Sequence, residues 1–209
     1  MASVELLNID CMDYMSTCKD KQFDLAIVDP PYGIGVNHNM GRRKGDKPSN
    51  YKPAVWDNKT PDEIYFRQLF RISKAQIIWG ANHFISKIPY DSSCWIMWDK
   101  KFSDEVTFSQ FELAWTSFNT TCKKFDMFPT GDARIHPTQK PIALYKWLLK
   151  NYAKATDKII DTHGGSMSIA IACHDFGCDL VCCEIDKDYY EAALKRFNNY
   201  KLQQKLAFK

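Results

Sequence analysis

The run Phe23-Asp24-Leu25-Ala26-Ile27-Val28, halted by Asp29-Pro30-Pro31-Tyr32, constrains the fold of this chain more than any other feature. It has the length of a strand. Two consecutive prolines cannot continue a central strand, so the chain must turn after Asp29. Short apolar runs recur at Val4–Leu7, Ala75–Trp79, Cys94–Trp98, Phe111–Phe118, Lys158–Ile160 and Leu180–Cys183. Helical segments separate several of them. A short helix is predicted from the turn at Asn8-Ile9-Asp10 through Met15, and another over Asn82–Lys87. Thr60-Pro61-Asp62-Glu63 reads as a helix start, with Thr60 as cap and Pro61 in the first position, running to about Ser73. Leu144, Leu148, Leu149 and Tyr152 share one face of a helix predicted over Pro137–Tyr152. Ile169, Ala172, Cys173 and Phe176 make a second stripe, and Asp188–Asn198 a last amphipathic helix. Such alternation predicts an α/β fold, a largely parallel open sheet with helices on both faces.

The 209 residues suit a single domain over 1–209. Its 13 Phe, 10 Tyr and 6 Trp exclude a disordered or low-complexity chain. No apolar run approaches the roughly 18 residues of a membrane span. Met1–Asp10 lacks the basic start and apolar stretch of a signal peptide, so a cytoplasmic protein is expected. Eight cysteines include no CxxC pair, and the histidines at 38, 83, 136, 163 and 174 form no ligand spacing with them. Reduced, mostly buried thiols and no metal are expected. The net charge of +3 is unevenly spread. Residues 33–60 hold Arg42, Arg43, Lys44, Lys47, Lys52 and Lys59 against Asp46 and Asp57, in a Gly-, Asn- and Pro-rich stretch expected to be a long functional loop. Residues 119–135 are polar and turn-rich.

Two segments carry chemistry. In the predicted βαβ unit Lys158–Asp186, a strand ends at Asp161, the turn Thr162-His163-Gly164-Gly165-Ser166 follows, and Glu184 closes the next strand 23 positions on. Glycines let backbone approach a ligand, and an acid at that spacing can hold ribose hydroxyls. Carboxylates at both strand ends suit a nucleoside carrying positive charge, although an ordinary crossover fits the same residues. The second segment is Asp29-Pro30-Pro31-Tyr32. The Asp29 carboxylate and the Pro30 carbonyl are two rigidly held acceptors, able to take both N–H bonds of a planar amino group, and Tyr32 offers a ring for stacking. A bare turn with a capping Asp is the plainer alternative.

These segments resemble the S-adenosylmethionine-dependent DNA amino-methyltransferases. Asp29-Pro30-Pro31-Tyr32 looks like the family's catalytic motif, and His136-Pro137-Thr138-Gln139-Lys140-Pro141 like the segment preceding its cofactor-binding strand. Asp161-Thr162-His163-Gly164-Gly165-Ser166-Met167-Ser168 sits where the family has Asp-Pro-Phe-x-Gly-Ser-Gly-Thr, and Cys183-Glu184-Ile185-Asp186 matches the end of the next strand. Thr162 and His163 depart from Pro-Phe, and Met167 stands where a second Gly is common. The resemblance implies a Rossmann-like sheet in the permuted methyltransferase order of the β-subgroup, with S-adenosylmethionine as cofactor and double-stranded DNA as partner. It implies that Asp29, Pro30, Pro31 and Tyr32 take the target base. Asp161, Gly165 and Ser166 would line the methionine part of the cofactor, and Asn8, Asp10 and Cys11 would touch its adenine. Glu184 would hold its ribose with Ile185 beside it, and Thr138 and Lys140 would meet its carboxylate. His163 is expected to line this pocket, and Trp79-Gly80-Ala81-Asn82 to end a strand on the same sheet edge. Arg42, Arg43, Lys44 and Lys47 would grip phosphates. With 33–60 and 119–135 alone free to read DNA, a short site or a homodimer is favoured. The implied reaction is methylation of adenine N6. Cytosine N4, an RNA or protein-glutamine amide, and a non-catalytic DNA-binding scaffold are the alternatives.

Overall fold

A computed structural model of the chain describes residues 2–35, 55–103, 109–129 and 134–207. In chain order the elements are β1 (Val4–Asn8), α1 (Cys11–Thr17), β2 (Phe23–Val28), α2 (Glu63–Ile72), β3 (Ser73–Trp79), β4 (Trp95–Asp99), β5 (Phe111–Thr116), β6 (Lys123–Asp126), α3 (Ile142–Tyr152), β7 (Lys158–Asp161), α4 (Ser168–Phe176), β8 (Asp179–Glu184) and α5 (Lys187–Ala207). The strands form one sheet in the order β1-β8-β7-β2-β3-β5-β4-β6. β1, β8, β7, β2 and β3 run parallel, β5 is antiparallel to β3 and β4, and β6 is parallel to β4. The sheet is thus largely parallel, as the alternation of elements predicts.

Side chains of the central strands alternate between two cores. Leu25 and Ile27 of β2, Ile77 and Trp79 of β3, and Ile159 of β7 pack with α3, α4 and α5 on one face. Phe23, Ala26 and Val28 of β2, Ile78 of β3 and Ile160 of β7 pack with α1 and α2 on the other. A strand buried on both faces has no polar side, which is why β2 reads as a nearly continuous apolar run.

Several boundaries differ from the sequence reading. The cap of α2 is Asp62, whose carboxylate accepts from Tyr65 N at 2.9 Å. Thr60 instead accepts from Lys87 Nζ at 2.5 Å, so the helix starts at Glu63 rather than at Pro61. Helix α3 begins at Ile142, with Pro141 as its cap, because a proline disfavours helical backbone in the residue before it. That leaves 136–140 as a turn facing the sheet edge. Asn82–Lys87 is two short 3₁₀ turns, and α5 continues past Asn198 to Ala207. The stretch 119–135 contains the edge strand β6, whose Lys-Lys-Phe-Asp sequence is polar because one flank meets solvent. All eight cysteines are free thiols, six of them buried.

Candidate active site

Consecutive strands β2 and β3 progress to one side of the sheet and β7 and β8 to the other, with β2 and β7 adjacent. In open α/β sheets ligands bind in the crevice this divergence opens, beyond the carboxyl ends of the strands. Here the crevice is a cavity of about 570 Å³. The turn after β7 and the turn after β2 form its two sides.

On the β7 side Gly164 donates to Cys183 O at 2.8 Å and accepts from Met167 N at 2.7 Å. A Cβ on Gly164 would lie 2.7 Å from Cys182 Sγ, so this close approach requires glycine. Gly165, at φ +51°, donates to Glu184 Oε2 at 2.6 Å, while Glu184 Oε1 accepts from Asp186 N at 2.8 Å. Each Glu184 oxygen retains acceptor capacity. Met167 takes the left-handed backbone at φ +51° that the family's usual glycine would adopt without strain, and its side chain is buried in the core. Asp161 is buried and accepts from His163 N at 3.0 Å. Burial pushes its carboxyl up to about 7, the His163 hydrogen bond pulling the other way. His163 stands where the family has Phe and serves as a neutral ring. Burial holds its imidazole down at about 4, its Nδ1 lies 2.9 Å from Thr162 Oγ1 and its Nε2 4.0 Å from Cys11 Sγ.

On the β2 side, Pro30 and Pro31 have no N–H, and the next two amides, of Tyr32 and Gly33, both donate to Asp57 Oδ1 at 2.8 and 3.0 Å. Asp57 thereby fixes the turn. Tyr32 stacks on His83 with centroids 5.0 Å apart and lies so close to Gly80 that a Cβ there would fall 1.9 Å from its ring. Its hydroxyl donates to Asp29 Oδ1 at 2.6 Å. Asp29 Oδ2 accepts from Lys140 Nζ at 2.5 Å, and the same ammonium lies 3.0 Å from Glu112 Oε2 on β5. Lys100 Nζ completes the chain at 2.7 Å from Glu112 Oε1. Burial raises the Asp29 carboxyl despite Lys140. Burial also disfavours the charge on Glu112, but Lys140 and Lys100 outweigh that and hold it down at about 2.

Asp10, Cys11, Asp29, Pro31, Thr138, Lys140, His163, Gly165, Ser166, Glu184 and Ile185 all line the crevice. Asn8 does not; its amide donates to Glu184 O and Ile185 O at 2.8 and 3.1 Å and so ties β1 to the end of β8. Pro30, Tyr32 and Asp161 do not line it either; the Tyr32 hydroxyl donates to Asp29 while its ring stacks on His83, and Asp161 accepts from His163 N. Asp10 caps α1 by accepting from Met12 N at 2.7 Å. Lys140, expected at a cofactor carboxylate, is engaged with Asp29 and Glu112. Thr138 Oγ1 contacts His136 Nδ1 at 3.1 Å. Arg42, Arg43, Lys44 and Lys47 lie outside the described residues. Sequence reasoning missed Glu112, Asp57 and an aromatic wall in which His136 stacks on Trp56 at 5.2 Å and meets Tyr189 edge-on at 4.3 Å. His136 belongs to the recognised segment 136–141, which was the available signal; Glu112 and Asp57 had none.

An acid-rich crevice of nucleoside size thus lies at the switch point of a largely parallel α/β sheet. Residues 100–195 match the N6/N4 DNA methylase family. The type II methyltransferase M2.MboI of Moraxella bovis is 21% identical over 235 residues, covering 90% of this chain and 85% of its own length. Among solved structures, the M1.HpyAVI–SAM complex superposes with a TM-score of 0.64 at 17% identity, over 93% of this chain and 99% of its own. The cytosine-N4-specific PvuII DNA methyltransferase does so with a TM-score of 0.65 at 10% identity, over 94% and 87%. The fold is that of the S-adenosylmethionine-dependent DNA methyltransferases.

Proposed function

We propose that the protein is an S-adenosylmethionine-dependent methyltransferase acting on adenine N6 at a specific site in double-stranded DNA. The observation that carries this reading is Asp29, head of Asp-Pro-Pro-Tyr, on the wall of the same crevice as the Gly164-Gly165 turn and Glu184. S-adenosylmethionine, when bound, supplies a methyl group already activated on a positive sulfonium. Four carboxylates, those of Asp10, Asp29, Glu184 and Asp186, line the crevice against one ammonium, that of Lys140, which suits a cationic nucleoside. Glu184 has the acceptor capacity to hold ribose hydroxyls, and Gly164 and Gly165 give the room for close approach.

The target base must leave the stack, which costs a few kcal/mol and is offset by its contacts in the crevice beside Asp29. Asp29 and the Pro30 carbonyl accept the two hydrogens of its amino group, favouring a more tetrahedral and more nucleophilic nitrogen. Asp29 is also placed to take the proton the nitrogen sheds. Alignment alone can supply roughly 7–11 kcal/mol of the barrier reduction. Arg42, Arg43, Lys44 and Lys47 are the proposed phosphate contacts; the chain order supports the permuted β-subgroup, and the short stretches free to read DNA support a homodimer.

Cytosine N4 is the second reading, favoured by the likeness to the PvuII enzyme. Asp rather than Ser at the head of the tetrapeptide supports adenine. The test is methyl transfer from labelled S-adenosylmethionine to unmethylated duplex DNA, with the digested nucleosides identified by mass spectrometry. N6-methyldeoxyadenosine is expected; N4-methyldeoxycytidine would overturn the base assignment, and no product the reaction. Asp29→Ala is expected to abolish transfer while cofactor binding persists, because Lys140 keeps Glu112 as a partner.

A further inference from the structure

We propose that Glu112 is a positioning residue for this reaction, drawing the Lys140 ammonium off Asp29 so that the Asp29 carboxylate stays available to the target amino group. The inference rests on the reading of Asp29 as the group that receives that amino group. In the structure both Asp29 oxygens are already engaged, Oδ1 by the Tyr32 hydroxyl and Oδ2 by Lys140. A carboxylate held by an ammonium alone would be a poor acceptor for an incoming N–H and a poorer one for its proton.

Glu112 supplies the competing seat. The Lys140 side chain is 2% exposed and its Nζ sits between two carboxylates, 2.5 Å from Asp29 and 3.0 Å from Glu112. Lys100, itself only 14% exposed, binds the far oxygen of Glu112 and keeps that side chain in place. Two carboxylates and two ammoniums make the cluster neutral, so moving Lys140 from one seat to the other separates no net charge. The other titratable groups close enough to act on Asp29 are Tyr32 in its own turn, Asp161 at the end of β7 and Tyr145 on α3. None of these offers Lys140 an alternative anion at hydrogen-bonding distance. Burial and the nearby Glu112 charge both raise the Asp29 carboxyl, which is the direction a proton acceptor needs.

The test compares wild type with Glu112→Gln and Lys100→Met. Without the Glu112 charge, Lys140 settles on Asp29, and the Asp29 carboxyl titrates at lower pH. Without Lys100, Glu112 holds Lys140 more fully, and Asp29 titrates at higher pH. These opposite shifts are read by carbon-13 NMR of the Asp29 carboxyl in the free protein. In single-turnover transfer to DNA, Glu112→Gln is expected to lose about tenfold or more in rate, with the acid limb of its pH profile moved down by about one unit. Its affinity for S-adenosylmethionine should stay within about twofold of wild type. Unmoved Asp29 midpoints, or a slower Glu112→Gln with an unmoved acid limb, would overturn the proposal. A wild type that transfers no methyl group to DNA would overturn the functional reading, and the Asp29 titrations would still decide this one.

Discussion

Gly80 illustrates how one missing side chain shapes the site. It ends β3 in left-handed backbone at φ +68°, and the Tyr32 ring occupies the volume a Cβ would need, with Cε1 1.9 Å from that position. His83, the third residue of the following turn, stacks on the ring with the two planes 14° apart. Gly80→Ala must therefore push Tyr32 away from Asp29 and strain the backbone by about 1 kcal/mol. Because Tyr32 lies on the target-base side and the cofactor turn is untouched, the single-turnover methyl-transfer rate should fall about 10- to 100-fold. S-adenosylmethionine affinity, measured by calorimetry, should stay within about twofold. Equal losses of binding and rate would place Gly80 in the cofactor site instead. The Thr162-His163 departure from Pro-Phe is explained at the same scale. A neutral His163 keeps an aromatic ring edge-on to Tyr65 at 5.3 Å, and the Thr162 hydroxyl meets that of Tyr65 at 2.7 Å.

Elements were legible where their own residues decide them. β2, β3, β7 and β8 are buried on both faces and carry apolar runs, and α4 has its apolar stripe. Edge strand β6 was not legible, since its single inward side chain, Phe125, packs on Trp147 of α3, far away in sequence. The site divided in the same way. Asp29, Gly165 and Glu184 announce themselves because each sits in a motif. Glu112 and Asp57 matter only through partners that folding brings to them across 28 and 25 positions, Lys140 and Tyr32. Competition among caps at α2 was likewise a matter of context. Thr60, Pro61 and Asp62 all suit a helix start, and the engagement of Thr60 by Lys87 leaves Asp62 to accept from Tyr65. Asp62→Ala should then cost about 1 kcal/mol, whereas a capping Thr60 would make it neutral. Urea unfolding at equal m-value distinguishes the two.

Among the buried titratable groups around the crevice whose charged forms burial disfavours, His136, His163 and Asp161 each change how the stability of the whole molecule varies with pH. His136 and His163 are both held down at about 4, His136 by burial and the Lys140 charge and His163 by burial. Below the unfolded imidazole value of about 6.5 the unfolded chain takes up protons that the native state refuses, so acid destabilises the fold until about pH 4. Asp161 acts in the opposite sense. Its carboxyl is raised to about 7 by burial, so between about pH 4 and 7 the native state binds a proton the unfolded chain has lost. Stability from this group therefore falls as pH rises through that window and levels off above it. Asn at 161 keeps the oxygen that accepts from His163 N but removes the ionisation. Asp161→Asn should consequently gain stability relative to wild type between pH 5 and pH 8, on the order of 2 kcal/mol from about 1.4 kcal/mol per pH unit. Urea midpoints of the two proteins at both pH values measure it. A constant difference would mean that Asp161 ionises in the fold as it does in the unfolded chain. The same carboxyl, close to half-protonated at pH 7 in the free protein, accepts from His163 N at the start of the glycine turn. A cationic nucleoside that binds there should draw out its proton, so calorimetric titration near pH 7 should detect proton release that Asp161→Asn abolishes.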